Sequence, residues 1–207
     1  MNEEIIPIFP VPVHISKYEK DLTKEQDFIK NISYVPNGSN GNFKSVNTFL
    51  LQSKELKKLK EFILSQLNIY TKTILLSSDI LIPTISWTNK NPKGSKHHEH
   101  VHPNSIVSGV FYFSINDSAP IQFHKHDFGG IKLDSDKYNN YNNGMYSVKM
   151  NKSELVLFPS TTRHSVPENK SDEIRYSLSF NTFTDAVIGS TDKLTFLNLK
   201  ELSNGNT

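Results

Sequence analysis

Hydrophobic and polar positions change rhythm partway along this chain. From Ser53 onward, Leu56, Leu59, Phe62, Ile63 and Leu67 recur at helical spacing, with Lys57, Lys58 and Lys60 between them. That spacing predicts a helix with one buried stripe and a solvated lysine face. Upstream, Thr23-Lys24-Glu25-Gln26 fits a capping box opening a shorter helix that buries Phe28 and Ile29. The stretch Ile5 to Val13 is rich in β-branched residues but broken by Pro7, Pro10 and Pro12. It reads as an edge strand or an extended arm, because proline cannot donate to a sheet. Residues 35–47 are loop by composition.

From Ile80 the period shortens towards two. Ile80 to Thr88, Ile106 to Ile115, Pro120 to His124, Tyr146 to Met150, Glu154 to Phe158 and Ile174 to Phe183 read as strands separated by Gly, Pro and Asn turns. Residues 134–144 form a long polar insertion, and no internal repeat is present. Helices followed by a run of short strands predict a mainly β fold, a sandwich or jelly roll with helices packed on one face.

Length and composition narrow the rest. A chain of 207 residues is expected to form one domain. Its hydrophobic fraction is modest, yet 13 Phe and 8 Tyr are enough for a packed core and exclude a disordered chain. The absence of cysteine removes disulfides, thiolate metal sites and a Cys nucleophile together. A formal net charge of +2 gives no reason to invoke a nucleic acid or a membrane surface. No apolar run reaches the ~18 residues of a membrane span, and the opening Met-Asn-Glu-Glu lacks a signal-peptide pattern. The expected location is therefore cytoplasmic.

Histidine changes the picture. Seven of the eight (His97, His98, His100, His102, His124, His126 and His164) fall within about a third of the chain. Histidine is the commonest metal ligand, so a histidine-based metal site is the first functional hypothesis. Residues 98–102, His-Glu-His-Val-His, formally match the HExxH pattern of zinc proteases, which requires a helix. Gly94 and Ser95 precede the match and Pro103 follows it, so a helix could hardly run through His102. Nor is there an apolar face to bury, since Val101 is the single apolar residue between Gly94 and Pro103.

As an extended segment the same residues make better chemical sense. Alternation points His98, His100 and His102 one way and His97, Glu99 and Val101 the other. Two histidines separated by one residue can share an ion, and His164, at the end of the strand Leu155 to Phe158 and its turn, is the candidate third ligand. Eleven residues on, Arg175, Ser177, Ser179 and Asn181 share one strand face, opposite Ile174, Tyr176, Leu178 and Phe180. Such a polar face either meets solvent or turns into a barrel mouth. There a planar guanidinium suits a carboxylate, which it can hold through two bonds.

Together these residues resemble the Fe(II)/2-oxoglutarate-dependent oxygenases of the double-stranded β-helix (jelly roll, cupin-like) fold. The distal pair His164 and Arg175, and the Arg175-Tyr176-Ser177 pattern, carry the resemblance. More narrowly, Trp87-Thr88-Asn89, Gly94, His100-Val101-His102-Pro103, Ser108-Gly109-Val110-Phe111-Tyr112 and Phe158-Pro159 are similar to a bacterial and phage subgroup with a His-x-His-Pro motif. The resemblance spans Ile80 to Phe183. It implies a single domain over residues 1–207, with a β-helix core at about 80–185 and helical support from 1–79. It implies Fe(II) on His100, His102 and His164, and 2-oxoglutarate held by Arg175 and Ser177 with Asn89 nearby. Dioxygen is the co-reactant, and oxidative decarboxylation of 2-oxoglutarate is coupled to oxidation, commonly hydroxylation, of a small molecule or a protein side chain.

One departure is plain: the second ligand position is His102 where the usual triad has a carboxylate. Glu99, in His97-His98-Glu99, is the alternative carboxylate ligand. His14 is isolated. His97 and His98 fall outside the ligand set, His124 and His126 suit a surface or substrate-side role, and Trp87 suits the core. The loops at 35–47 and 125–145 are expected to frame the site mouth. Rival classes are a cupin-like metalloenzyme independent of 2-oxoglutarate and a non-catalytic metal- or ligand-binding jelly roll. The sequence is silent on the substrate and on oligomeric state, a homodimer included.

Overall fold

The structure, a computed structural model, describes residues 4–114, 120–125, 134–184 and 187–198. Among them lie two α-helices, α1 (Thr23–Asn31) and α2 (Lys57–Thr73), and eleven strands. In chain order the strands are β1 (His14–Lys17), β2 (Tyr34–Pro36), β3 (Phe43–Ser45), β4 (Leu81–Asn91), β5 (His97–His100) and β6 (Val107–Tyr112). They continue as β7 (Ile121–His124), β8 (Met145–Val148), β9 (Glu154–Pro159), β10 (His164–Val166) and β11 (Arg175–Thr184). They form a seven-stranded sheet in the order β1-β9-β6-β11-β4-β3-β2 and a four-stranded sheet in the order β5-β10-β7-β8. This is the expected jelly roll.

The large sheet is buried on both faces, and strand alternation decides what goes where. Its outer face carries Phe111, Leu155, Leu157, Leu178 and Phe180, packed against Leu59, Ile63, Leu67 and Tyr70 of α2 and Ile29 of α1. Full burial of each such side chain contributes about 1.5–3 kcal/mol. Its inner face presents Tyr112, Val156 and Phe158 to Ile121 and Phe123 of the small sheet, forming a second apolar cluster. Side by side with that cluster, the inner face of β11 turns polar. Leu178 and Phe180 face the helices, while Arg175, Ser177, Ser179 and Asn181 line a cavity between the sheets.

Several expectations shift in detail. The N-terminal stretch is an extended arm, and the first strand is His14–Lys17, paired with β9 at the edge of the large sheet. Thr23 does not act as a capping side chain. Asp21 instead accepts hydrogen bonds from the Thr23 amide (3.3 Å) and hydroxyl (2.8 Å) at the start of α1. Residues from Leu50 to Leu56 form two 3₁₀ turns, so α2 begins at Lys57, four residues later than Ser53. The predicted loop 35–47 contains most of the β2–β3 hairpin. Such strands are too short to show a period; β3 exists by pairing with β4, and β2 by pairing with β3. Ile115, at the end of one predicted strand, lies outside the described residues. No helix among the described residues is long and apolar enough to cross a membrane.

Candidate metal centre

β5 and β10 bring the metal candidates together. His100, the last residue of β5, and His164, the first of β10, are register partners across the small sheet. Their ring centroids lie 4.3 Å apart, and His102, two residues beyond β5, completes a triangle at 5.0 Å from each. The His102 amide donates to the Ser160 carbonyl (2.9 Å), which fastens this segment to the turn preceding His164. One nitrogen from each ring lies within 4.8 Å of the others, a spacing that a single ion can bridge.

Hydrogen bonds fix which nitrogen is left free to bind an ion. His100 Nδ1 lies 2.8 Å from the His98 carbonyl and His164 Nδ1 lies 2.9 Å from the Thr162 carbonyl. A carbonyl only accepts, so each Nδ1 carries the proton and each Nε2 keeps its lone pair for a metal. Burial also keeps the rings neutral. Desolvation pushes the His164 imidazolium down to about 3 and that of His102 to about 4, with neighbouring histidines adding to the effect. His100 shifts the same way, again mainly by burial.

Glu99 takes no part in this cluster. Its carboxylate is bonded to Arg163 at 2.7 Å and lies 3.6 Å from His124 Nδ1 on the other side of the small sheet. The structure thus brings the three imidazoles together and leaves Glu99 outside their cluster. The HExxH helix is likewise absent, since His97–His100 is a strand.

Strict alternation fails at one place. His164 pairs with His100 and Val166 pairs with His97, so three residues of β10 span four of β5. This bulge inserts one residue and brings His97 to the cavity side with His100. There Asn42 Nδ2 lies 2.7 Å from His97 Nε2, and Asn40 Nδ2 lies 3.1 Å from His98 Nδ1. The 35–47 segment therefore does frame the site. Among the described residues of 125–145 none lines the cavity, and His126 with Asp127 to Gly130 lies outside the described residues. His124 bonds Ser165 Oγ at 2.7 Å, and His14 lies 3.1 Å from Gln66 Oε1, both away from the cluster.

The cavity measures about 360 Å³, within the range of small-molecule sites. Arg175 lies in its wall, 3% exposed, beside Tyr112. Burial lowers the pKa of the guanidinium, and the field of the Tyr112 phenol opposes that shift. Burial pushes the Tyr112 hydroxyl up to about 12, so it stays protonated and able to donate. Ser177 lies opposite Tyr112 on one side and Asn89 on the other. Asn89 donates to Ser179 Oγ at 3.0 Å, while its buried Oδ1 has no hydrogen-bond partner. Trp87 is a wall of the cavity, its ring 6.0 Å from that of His102, and does not belong to the core. Tyr112 and His97 escaped the sequence reading. The parity of Ser108, Val110 and Tyr112 against Phe111 was the available signal for the tyrosine, whereas nothing local announces the bulge.

A jelly roll that gathers three neutral imidazoles and a buried guanidinium in one cavity defines a metalloenzyme of the double-stranded β-helix class. The family model described as "Putative 2OG-Fe(II) oxygenase" matches residues 85–181, which include Asn89, His100, His102, His164, Arg175 and Ser177. That match spans just under half of the chain, which is similar there to the 2OG-Fe(II) oxygenases, and match, fold and site together mark a 2-oxoglutarate-dependent non-haem iron oxygenase. Solved structures share the fold at low identity. HygX from Streptomyces hygroscopicus, with nickel, 2-oxoglutarate and hygromycin B bound, is 9% identical with a TM-score of 0.60, over 83% of this chain and 82% of that one. A prolyl hydroxylase from Trichoplax adhaerens, in complex with a hypoxia inducible factor peptide fragment, is 15% identical with a TM-score of 0.59, over 83% of both chains. An oxidoreductase of the 2OG-Fe(II) oxygenase family from Burkholderia pseudomallei is 11% identical with a TM-score of 0.57, over 78% and 76%. No curated protein matches the sequence.

Proposed function

We propose that His100, His102 and His164 hold the Fe(II) of this oxygenase and that Arg175 with Ser177 receives the C5 carboxylate of 2-oxoglutarate. The carrying observation is the pairing of His100 with His164 across β5 and β10, lining the same cavity as buried Arg175 on the facing sheet. The donor set suits the metal: three neutral imidazoles, two of them with the Nδ1 proton held at a carbonyl, leave room for other ligands. Nickel and 2-oxoglutarate bound in the HygX structure, which shares this fold, support the reading. With Fe(II), 2-oxoglutarate and dioxygen bound, such a site couples decarboxylation of 2-oxoglutarate to succinate with oxidation of a second substrate.

The chain's own residues do the positioning. The His98 and Thr162 carbonyls lock the ring planes of His100 and His164. Arg175 supplies a fixed cation whose planar fork matches a carboxylate, and Ser177 and the Tyr112 hydroxyl offer further donors beside it. The unpartnered Asn89 Oδ1 can accept from water or from a protonated ligand group. Ile85, Trp87, Val110 and Ile121 give the cavity apolar walls that restrict water around the reacting groups. With no carboxylate in the ligand set, the centre carries one negative charge fewer than a two-His, one-carboxylate site.

We place the enzyme in the cytoplasm and read residues 1–207 as one domain, with a small molecule or a protein side chain as substrate. Cell fractionation and limited proteolysis test the first two points. The central test is succinate formation from 2-oxoglutarate with Fe(II) and ascorbate. Succinate that appears with iron, and not after chelation, is expected; iron binding with no succinate would overturn the reading.

A further inference from the structure

The cavity holds a second cation that the proposed iron and 2-oxoglutarate sites do not use. Lys44 on β3 is the register partner of Asn89 on β4. Cross-strand partners share a sheet face, so Lys44 points into the cavity with Asn89, and it is half-buried there. Its neighbour Lys90 takes the opposite face and sits 5.7 Å over the Tyr34 ring. Among the described residues no Asp or Glu lines the cavity, and no ion pair involves Lys44. An ammonium group brought out of bulk water without a countercharge is destabilising unless something compensates it. Trp87 and Ile85, on the same strand as Asn89, add an apolar and aromatic surface to this cavity, with the Trp87 ring 6.0 Å from that of His102.

We propose that Lys44 recognises an anionic group, a carboxylate or a phosphate, on the substrate of this oxygenase, with an apolar or aromatic body lying against Trp87. The proposal rests on the assignment of Arg175 to 2-oxoglutarate, which leaves Lys44 for the second ligand. The same arrangement disfavours a cationic substrate, since Lys44 would repel it and no carboxylate among the described lining residues would hold it.

Trp87 is the chain's single tryptophan, so its indole N–H gives one unambiguous NMR signal inside the cavity. Protein loaded with diamagnetic Zn(II) and saturated with 2-oxoglutarate is titrated with benzoate, phenyl phosphate and neutral benzamide. Benzoate or phenyl phosphate, or both, should shift the Trp87 signal, with their relative affinities separating a carboxylate from a phosphate preference. Benzamide should bind much more weakly. Lys44→Met should weaken anion binding by about tenfold or more, the loss of one charge-assisted contact. Lys44→Arg should retain it, and both variants should bind 2-oxoglutarate as the wild type does. Equal binding of benzamide and benzoate, no anion binding, or an unchanged benzoate affinity in Lys44→Met would overturn the proposal. A Lys44→Met variant that loses 2-oxoglutarate would instead make Lys44 a cosubstrate contact and overturn it as well. Failure of the wild type to bind zinc or 2-oxoglutarate is read separately; it would sink the site assignment itself, and the substrate proposal with it.

Discussion

His100 and His164 are separated by 63 intervening residues, yet they face each other as register partners across β5 and β10 with ring centroids 4.3 Å apart. Phe158 packs edge-on against the His164 ring at 4.8 Å, so that ring is held by core packing as well as by its hydrogen bond. The geometry of the centre therefore depends on the pairing of the small sheet. His164→Ala is expected to lower metal affinity by more than the ~10–100-fold typical of an outer-sphere change. It should also abolish succinate formation. Metal titration by calorimetry and a succinate assay check both outcomes.

Arg175 tests the cosubstrate assignment independently of the metal. Replacing it with Met removes the cation while keeping much of the volume. The 2-oxoglutarate concentration needed for turnover should rise by about 10–100-fold, the loss of charge-assisted bonds of ~1.5–3 kcal/mol. Zinc or nickel affinity should stay unchanged. An unaltered 2-oxoglutarate dependence would count against the role given to Arg175.

The buried histidines make the metal-free protein acid-sensitive. His97, His102 and His164 have folded-state values pushed down to between about 3 and about 4, from an ordinary 6.5, chiefly by burial. Between those limits the unfolded chain binds more protons than the folded one, so stability falls as pH falls. The full contribution is present above pH 6.5 and is lost progressively towards pH 3. The melting temperature of the metal-free protein should drop across this window, and the drop should shrink in His97→Gln. Metal affinity should fall in the same direction, because protons compete for the same nitrogens.

Glu99 provides a negative control. Its carboxylate is held below the usual range by the Arg163 hydrogen bond and the nearby charges of His124 and Arg163, at an exposed site away from the ligand cluster. Glu99→Gln should leave metal affinity and succinate formation intact. A collapse of either would restore the carboxylate-ligand alternative.

Gly109 marks how tightly β6 meets its neighbours. A Cβ there would overlap the Phe180 ring edge and come within 2.8 Å of Leu157 Cδ2, both in the core under the helices. Gly109→Ala should destabilise the protein by about 1–3 kcal/mol through overpacking, measured by denaturant unfolding. Its metal site, on the opposite face of the sheet, should still form.

Much of this was written in residue order. The parity of Arg175, Ser177, Ser179 and Asn181 against Leu178 and Phe180 announced a strand with one polar face. The spacing of Leu56, Leu59, Ile63 and Leu67 announced the helix that covers the other face. Pro103 removed the helical reading of residues 98–102. These are local constraints, set by side-chain period and backbone sterics, and they need no partner to be read.

Other features were decided by partners distant in sequence. Whether the polar face of β11 met solvent or a cavity depended on the second sheet closing over it. The short strand β3 exists through pairing with β4, which carries Lys44 to the cavity, and β2 through pairing with β3 in turn. The bulge that turns His97 inward arises only where β5 meets β10. Periodicity assigns a residue to a face, but long-range pairing chooses what that face meets, because a strand's hydrogen bonds and half of its buried contacts belong to other strands.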